Sequence, residues 1–290
     1  MERPERPTPT PAEPLPAEPT PAIQPLQIRV GFDLLLRCQR PTPMIVILGV
    51  HDSRACDLLE ADPLQLSPQV PCQSYVDTYG NHCNRLLAPA GPMRLRGRGL
   101  VADSGLPDPV LPWLEQQPVE LLPDHALLFL LASRFCESDL LTDFAWSQFG
   151  QAPEGWGRVQ AICDFVHQHV RFDYNRSSPT KSALQTFESR VGVCRDFAHL
   201  AIALCRSMNI PARYCTGYLS DIEVPPPHTA MDFSAWFEAY LGQGWHVFDP
   251  RNNTPRIGRI LIARGRDAAD VALTTSFGPS VLESFEVWAA

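Results

Sequence analysis

With 290 residues, 44% of them hydrophobic and 19% charged, the chain is long enough for two domains and a sizeable buried core. Its 32 acidic against 24 basic side chains leave a net charge of −8, which argues against a nucleic-acid partner, since such proteins present a basic face. The longest apolar run, Ala126 to Ala132, is far short of the roughly 20 residues a membrane span needs, so no membrane partner is expected.

Residues 1–25 form a Pro-rich tract whose few apolar side chains cannot offset the entropy of ordering. An extended or disordered tail is expected there. Residues 26–105 read as a small β-rich domain, a sandwich or barrel. Ile28, Val30 and Phe32 alternate with Arg29, Gly31 and Asp33, the mark of a half-buried strand. Met44 to Leu48 is a β-branched apolar run suited to a strand covered on both faces. Arg94, Arg96 and Arg98 alternate with Met93, Leu95 and Gly97, a strand with one charged face.

Residues 106–154 carry helical signals. An apolar helix is expected over residues 126–135, capped by Asp124 after Pro123. Residues 155–290 form the second domain. It opens with a helix from about Trp156 to Val170, with Val159, Ile162, Cys163 and Val166 on the buried side and Arg158 among the polar positions opposite. His167 and His169 are two apart on it and cannot share a metal. A helix from Cys194 follows, with Phe197, Ala201, Leu204 and Met208 recurring as a core stripe that stops near Asn209-Ile210-Pro211. Strands are expected over 212–218, 231–238 and 245–249. Helices followed by a run of strands predict an α+β domain in which an antiparallel sheet packs on helices.

Nine cysteines, an odd count without close pairing, predict reduced thiols in a cytoplasmic protein, most of them buried packing groups. Cys72, His82, Cys83 and His51 lack the close paired spacing of a structural zinc site. Neither metal nor cofactor is expected.

Cys194 is the exception among the thiols. At the first turn of a helix it meets unpaired N–H groups and the positive end of the dipole, both of which favour the nucleophilic thiolate. On the strand that follows, Asp232, Ser234, Trp236, Glu238 and Tyr240 share one face, available to line a cleft, and Phe233, Ala235, Phe237, Ala239 and Leu241 share the apolar other. Asp249 closes the next strand, and strand parity turns His246 away from it. His199 lies some 140° around the helix from Cys194. His228, on the loop after Pro225-Pro226-Pro227, is a further cleft candidate.

Gly192-Val193-Cys194-Arg195-Asp196-Phe197-Ala198-His199-Leu200, the strand carrying Ser234-Ala235-Trp236, and Trp245-His246-Val247-Phe248-Asp249-Pro250 together resemble the core of the transglutaminase-like family, whose fold is related to papain-like cysteine proteases. The resemblance covers about residues 155–290. The β-rich N-terminal region fits the two-domain arrangement of bacterial members. The resemblance implies an α+β, papain-like core with a Cys-bearing helix on an antiparallel sheet, preceded by a small β-rich domain. It also implies a thiol nucleophile that attacks amide carbonyls of a protein or peptide substrate through a thioester, with no metal required and the Cys194 N–H contributing to the oxyanion site. Cys194 and Asp249 then hold two triad places, and Ser234 stands where many members have the histidine. A serine hydroxyl is no base near neutral pH. The alternative is therefore a catalytically impaired member that binds a peptide or protein partner in the cleft. Asp232, Trp236 and His228 are the remaining cleft candidates. Substrate, acceptor and oligomeric state are open.

Overall fold

The computed structural model describes residues 25–61, 64–226 and 231–290. His228 and all but the last residue of the Pro-rich tract lie outside them. The chain runs through β1 (Leu26–Cys38), β2 (Thr42–Val46), β3 (Leu58–Ala61), β4 (Gln65–Ser67), β5 (Cys72–Val76), β6 (His82–Ala88) and β7 (Gly91–Asp103). Helical elements follow: α1 (Asp124–Leu127), α2 (Thr142–Phe149) and α3 (Trp156–His169). Then come β8 (Arg171–Phe172), α4 (Ala183–Ser189), β9 (Val191–Gly192) and α5 (Cys194–Ser207). The chain closes with β10 (Ala212–Leu219), β11 (Ser234–Leu241), β12 (Gly244–Phe248), β13 (Arg259–Gly265), β14 (Thr274–Ser276) and β15 (Ser280–Ala289).

The N-terminal strands build two antiparallel sheets. One has the order β15-β1-β7-β3, with β4 also on β7; the other is β14-β2-β6-β5. Alternation in β1 and β7 explains their place. Ile28, Val30, Phe32 and Leu34 from β1 and Met93 and Leu95 from β7 fill the core, while Arg94 and Arg96 stand outward and pair with the carboxylate of Asp33. Of the run expected to be buried on both faces, Met44, Val46, Ile47 and Leu48 are buried and Ile45 is half-buried, but β2 ends at Val46. β14 and β15, from within the 155–290 span, pair with β2 and β1, so both ends of the chain meet in these sheets.

The third sheet, β12-β11-β10-β13, is antiparallel throughout, and α5 packs against β10 and β11. Ala198, Ala201 and Ala203 of the helix and Ala235 and Ala239 of the strand are all fully or nearly fully buried, small side chains that suit a close helix-to-sheet approach. α5 is covered all round: every residue from Asp196 to Ser207 is buried. Its end is set by Asn209, whose φ of 60° is the left-handed turn that asparagine tolerates, just before Pro211. The expected order of helices and strands therefore stands: an α+β architecture with a β-rich N-terminal region and a mixed helix and sheet core.

Three expectations are corrected. Residues 126–135 are not one helix; α1 is a single turn that runs into a short 3-10 turn, and Pro123, not Asp124, precedes its first residue. The reason is tertiary. Arg206 of α5 donates to the carbonyl of Leu131 and the hydroxyl of Ser133, satisfying the chain there without a helix. Arg158 of α3 is buried and not at the surface, donating to Gln116 Oε1 and to the carbonyls of Gly150 and Ala152. The polar–aromatic face of β11 is covered as well. Leu122 and Ala126 pack over Tyr240, and Trp236 is sealed with Cys215 and Leu261.

All nine cysteines are free thiols. Among the described residues no helix is long and apolar enough to cross a membrane.

Candidate active site

The first turn of α5 is shaped by Gly192 and Asp196. Asp196 Oδ2 accepts the Val193 N–H at 3.0 Å, which fixes the entry of the helix. Gly192 passes so close that a Cβ there would stand 2.7 Å from the Cβ of Asp196, which explains a glycine at a position with no unusual dihedral. Cys194 follows, half-buried, and two hollows meet at it.

The first hollow is narrow and polar, about 60 Å³ in volume, and Tyr174, Asp232, Ser234, Arg251, Asn252 and Arg256 line it beside Cys194. The second is wide, about 540 Å³, and largely apolar. Asp232 lines both. The N–H groups of Arg195 and Ala235 point at the sulfur and favour its charged form, as does Arg251. Burial outweighs them, and with the charge of Asp232 it pushes the Cys194 thiol up to about 11. The helix N-terminus therefore does not deliver a resting thiolate, contrary to the expectation from sequence. Burial also raises the Asp232 carboxyl, against the partial offset of the Phe233 N–H.

A pH series follows from this. Iodoacetamide alkylation of Cys194, followed by peptide mass spectrometry, is expected to rise about tenfold per pH unit from pH 7 towards about 11, because only the thiolate reacts. A plateau near pH 8 would refute the burial argument.

Asp249 stands behind the polar hollow. Extending the antiparallel register, in which Phe248 faces Phe237, sets Asp249 opposite Trp236 and two residues from Ser234. Its Oδ1 accepts the N–H groups of Arg251 and Asn252 at 3.2 and 3.0 Å. Its Oδ2 accepts Asn252 Nδ2 at 2.8 Å and Arg259 Nη2 at 3.1 Å. Asn252 is the link forward, since its Oδ1 accepts from Arg251 at 2.8 Å and from Arg256 at 3.2 Å, both lining the hollow with Cys194. Cys194, Ser234 and Asp232 are thus brought together, and Asp249 reaches them through Asn252. Trp236 is not at either hollow; the guanidinium of Arg259 lies 4.8 Å from its ring centre.

No imidazole lines either hollow among the described residues. His199 is buried, stacked on Phe135, and its Nε2 accepts the Ala268 N–H at 3.1 Å; burial holds it neutral. His246 bonds the Leu241 carbonyl at 3.1 Å. No cluster of potential metal ligands occurs among the described residues. Tyr174, Asn252 and Arg256 escaped sequence reasoning as cleft residues. Tyr174 sits in a 3-10 turn and the other two in a turn and a loop, segments with no periodicity to reveal a face.

Residues 144–250 match the model of the transglutaminase-like superfamily. A solved structure from Cytophaga hutchinsonii, provisionally named a cysteine protease, is 31% identical, covers 92% of this chain and 91% of its own, and superposes with a TM-score of 0.78. An uncharacterized protein of Mycobacterium leprae is 38% identical over 94 residues, 31% of this chain and 33% of that protein. One from Mycobacterium tuberculosis is 37% identical over 126 residues, 39% and 40% of the two. The matches span between a third and two fifths of the length of these curated relatives. The chain belongs to the transglutaminase-like superfamily, related in fold to papain-like cysteine proteases.

Proposed function

We propose that the chain is a bacterial-type transglutaminase-like thiol enzyme that attacks amide carbonyls of peptides or proteins through a Cys194 thioester. Asp232 carries the proton in place of an imidazole. The observation that supports this most is the junction at Cys194: a sulfur at a helix N-terminus, faced by backbone N–H groups and a carboxylate, open to two hollows.

The proposed sequence balances. Asp232 takes the S–H proton as sulfur bonds to the carbonyl carbon, and N–H groups of the first turn of α5 hold the developing oxyanion. The C–N bond then breaks while Asp232 returns the proton to the departing nitrogen. Water or an amine, deprotonated by the same carboxylate, releases the thioester and restores the thiol. Asp249 acts behind this by holding Asn252, and through it Arg251 and Arg256, at the wall of the hollow.

A second reading, a catalytically impaired member that binds a peptide partner in the cleft, is favoured by Ser234 at the wall where an imidazole would serve. An activated peptide ester separates the two. Exposed Cys56 and Cys72 are first replaced by serine to remove background. Mixing with a peptide p-nitrophenyl ester is expected to release one equivalent of nitrophenol in a burst and to leave the acyl mass on the Cys194 peptide. Cys194→Ala is expected to give neither. A native chain without burst or adduct would leave only the binding role.

A further inference from the structure

The wide hollow at Cys194 has an unusual wall. β15 pairs with β1 so that Leu34 faces Phe285 and Leu36 faces Leu282, with a register shift between Leu35 and Leu36. The shift leaves Glu283 as the extra residue of a β-bulge. In a regular strand Leu282 and Phe285, three residues apart, would point to opposite faces. With the bulge both line the hollow, which is the re-aiming of side chains that bulges provide. Leu282 stays 51% exposed and Phe285 37% exposed, apolar groups held at its rim in water. Phe285 also meets Phe233 edge-on, with ring centres 5.8 Å apart, and Phe233 lies between Asp232 and Ser234. Phe135, Val271, Ala272 and Leu273 add to the apolar lining. At about 540 Å³ the hollow falls within the range of small-ligand pockets, far above the roughly 150 Å³ that holds a benzene ring.

We propose that this hollow is the acyl-side specificity pocket, taking a large aromatic or branched apolar side chain on the residue whose carbonyl Cys194 attacks. The polar hollow on the other side of the sulfur then receives the departing amine and the incoming water or amine. This assignment rests on the thioester reading above. It makes the preferred donor an apolar residue and gives the C-terminal strand β15 a role in substrate choice.

The test compares the p-nitrophenyl esters of acetyl-Phe and acetyl-Gly on the chain with Cys56 and Cys72 replaced by serine. Acylation of Cys194 by the Phe ester is expected to be at least tenfold faster, which is about 1.4 kcal/mol. Ala272→Phe, at a residue that lines the hollow and would fill it, and Leu282→Asp, which places a charge at its rim, are each expected to bring the ratio towards one. Leu282 is exposed enough that its variant folds even where the filled one does not. A native ratio near one, or a ratio that neither variant moves, overturns the pocket while leaving the thioester chemistry standing. If neither ester acylates Cys194, the thioester reading falls, and the pocket is judged on binding to the Cys194→Ser chain. Saturation transfer to the phenyl protons of acetyl-Phe-amide, lost in Leu282→Asp, then supports it; no transfer overturns it.

Discussion

Asp232→Asn is expected to slow acylation of Cys194 by about 10²- to 10⁴-fold, the usual worth of a positioned proton carrier, while speeding iodoacetamide alkylation of the same thiol. The opposite signs come from the two things a carboxylate does beside a sulfur. As a base it accepts the S–H proton during attack, and an amide cannot. As a charge it raises the Cys194 thiol, second only to burial in that effect. Removing the charge lowers the thiol and enlarges the thiolate fraction, by up to about tenfold for each pKa unit. Burial remains, so the thiol stays above its ordinary value. Iodoacetamide needs only thiolate and reports the second effect alone. A residue that merely shaped the hollow would move both rates in one direction, so a parallel fall in acylation and alkylation would remove Asp232 from the mechanism. Adding Ser234→His to Asp232→Asn is expected to restore at least about tenfold of the acylation, with a pH dependence centred near 6.5, the ordinary range of imidazole.

The parts of the molecule that local patterns govern were legible in the chain. The apolar stripe of α5, the strand parity that buries Phe233, Ala235, Phe237, Ala239 and Leu241, and the stop at Asn209 each depend on residues within a few positions of one another. What escaped depends on distant partners. The return of β15 to β1 is a pairing across some 250 residues, and nothing in the alternation of either strand names its partner. Trp236 and Tyr240 sit on the face of β11 that reads as polar, yet both are buried: the segment around Leu122 and Ala126 covers Tyr240, and a cluster with Cys215 and Leu261 holds Trp236. At the candidate site, Cys194 was marked by its place at the start of a helix and Ser234 by strand parity and the family resemblance, and both line the polar hollow. The charge state of the sulfur was not legible, because desolvation is a property of the packed fold and here outweighs the helix N-terminus. Asn252 was equally hidden, as its link to Asp249 is a turn contact with no periodic signature.

Arg206→Met is expected to destabilise the fold by about 3–5 kcal/mol, because several buried oxygens lose their donor at once. Arg206 is 3% exposed at the last turn of α5, and its guanidinium serves three separate segments. Nε and Nη2 donate to the carbonyl of Ala212 at 3.0 and 2.8 Å, which ties the helix end to the start of β10. Nη1 donates to the Leu131 carbonyl and the Ser133 hydroxyl, each at 3.0 Å, and Nη2 to the Arg266 carbonyl at 2.6 Å. Methionine fills much of the hydrocarbon space but donates nothing, so these oxygens lose their donor, at about 1–3 kcal/mol for each that stays buried and unpaired. Lysine keeps the charge but not the planar fork, and cannot reach oxygens on opposite sides at once. Arg206→Lys should therefore recover less than half of the loss. Urea unfolding of the three chains measures this directly, and a Met variant within about 0.5 kcal/mol of native, the range of ordinary surface changes, would sink the claim. The consequence reaches the cleft. The segment held at Leu131 and Ser133 leads into Phe135, whose N–H donates to Asp267 beside Arg266, and Phe135 lines the wide hollow. A chain weakened at Arg206 should therefore lose its preference for the Phe ester at temperatures where its circular dichroism is still native.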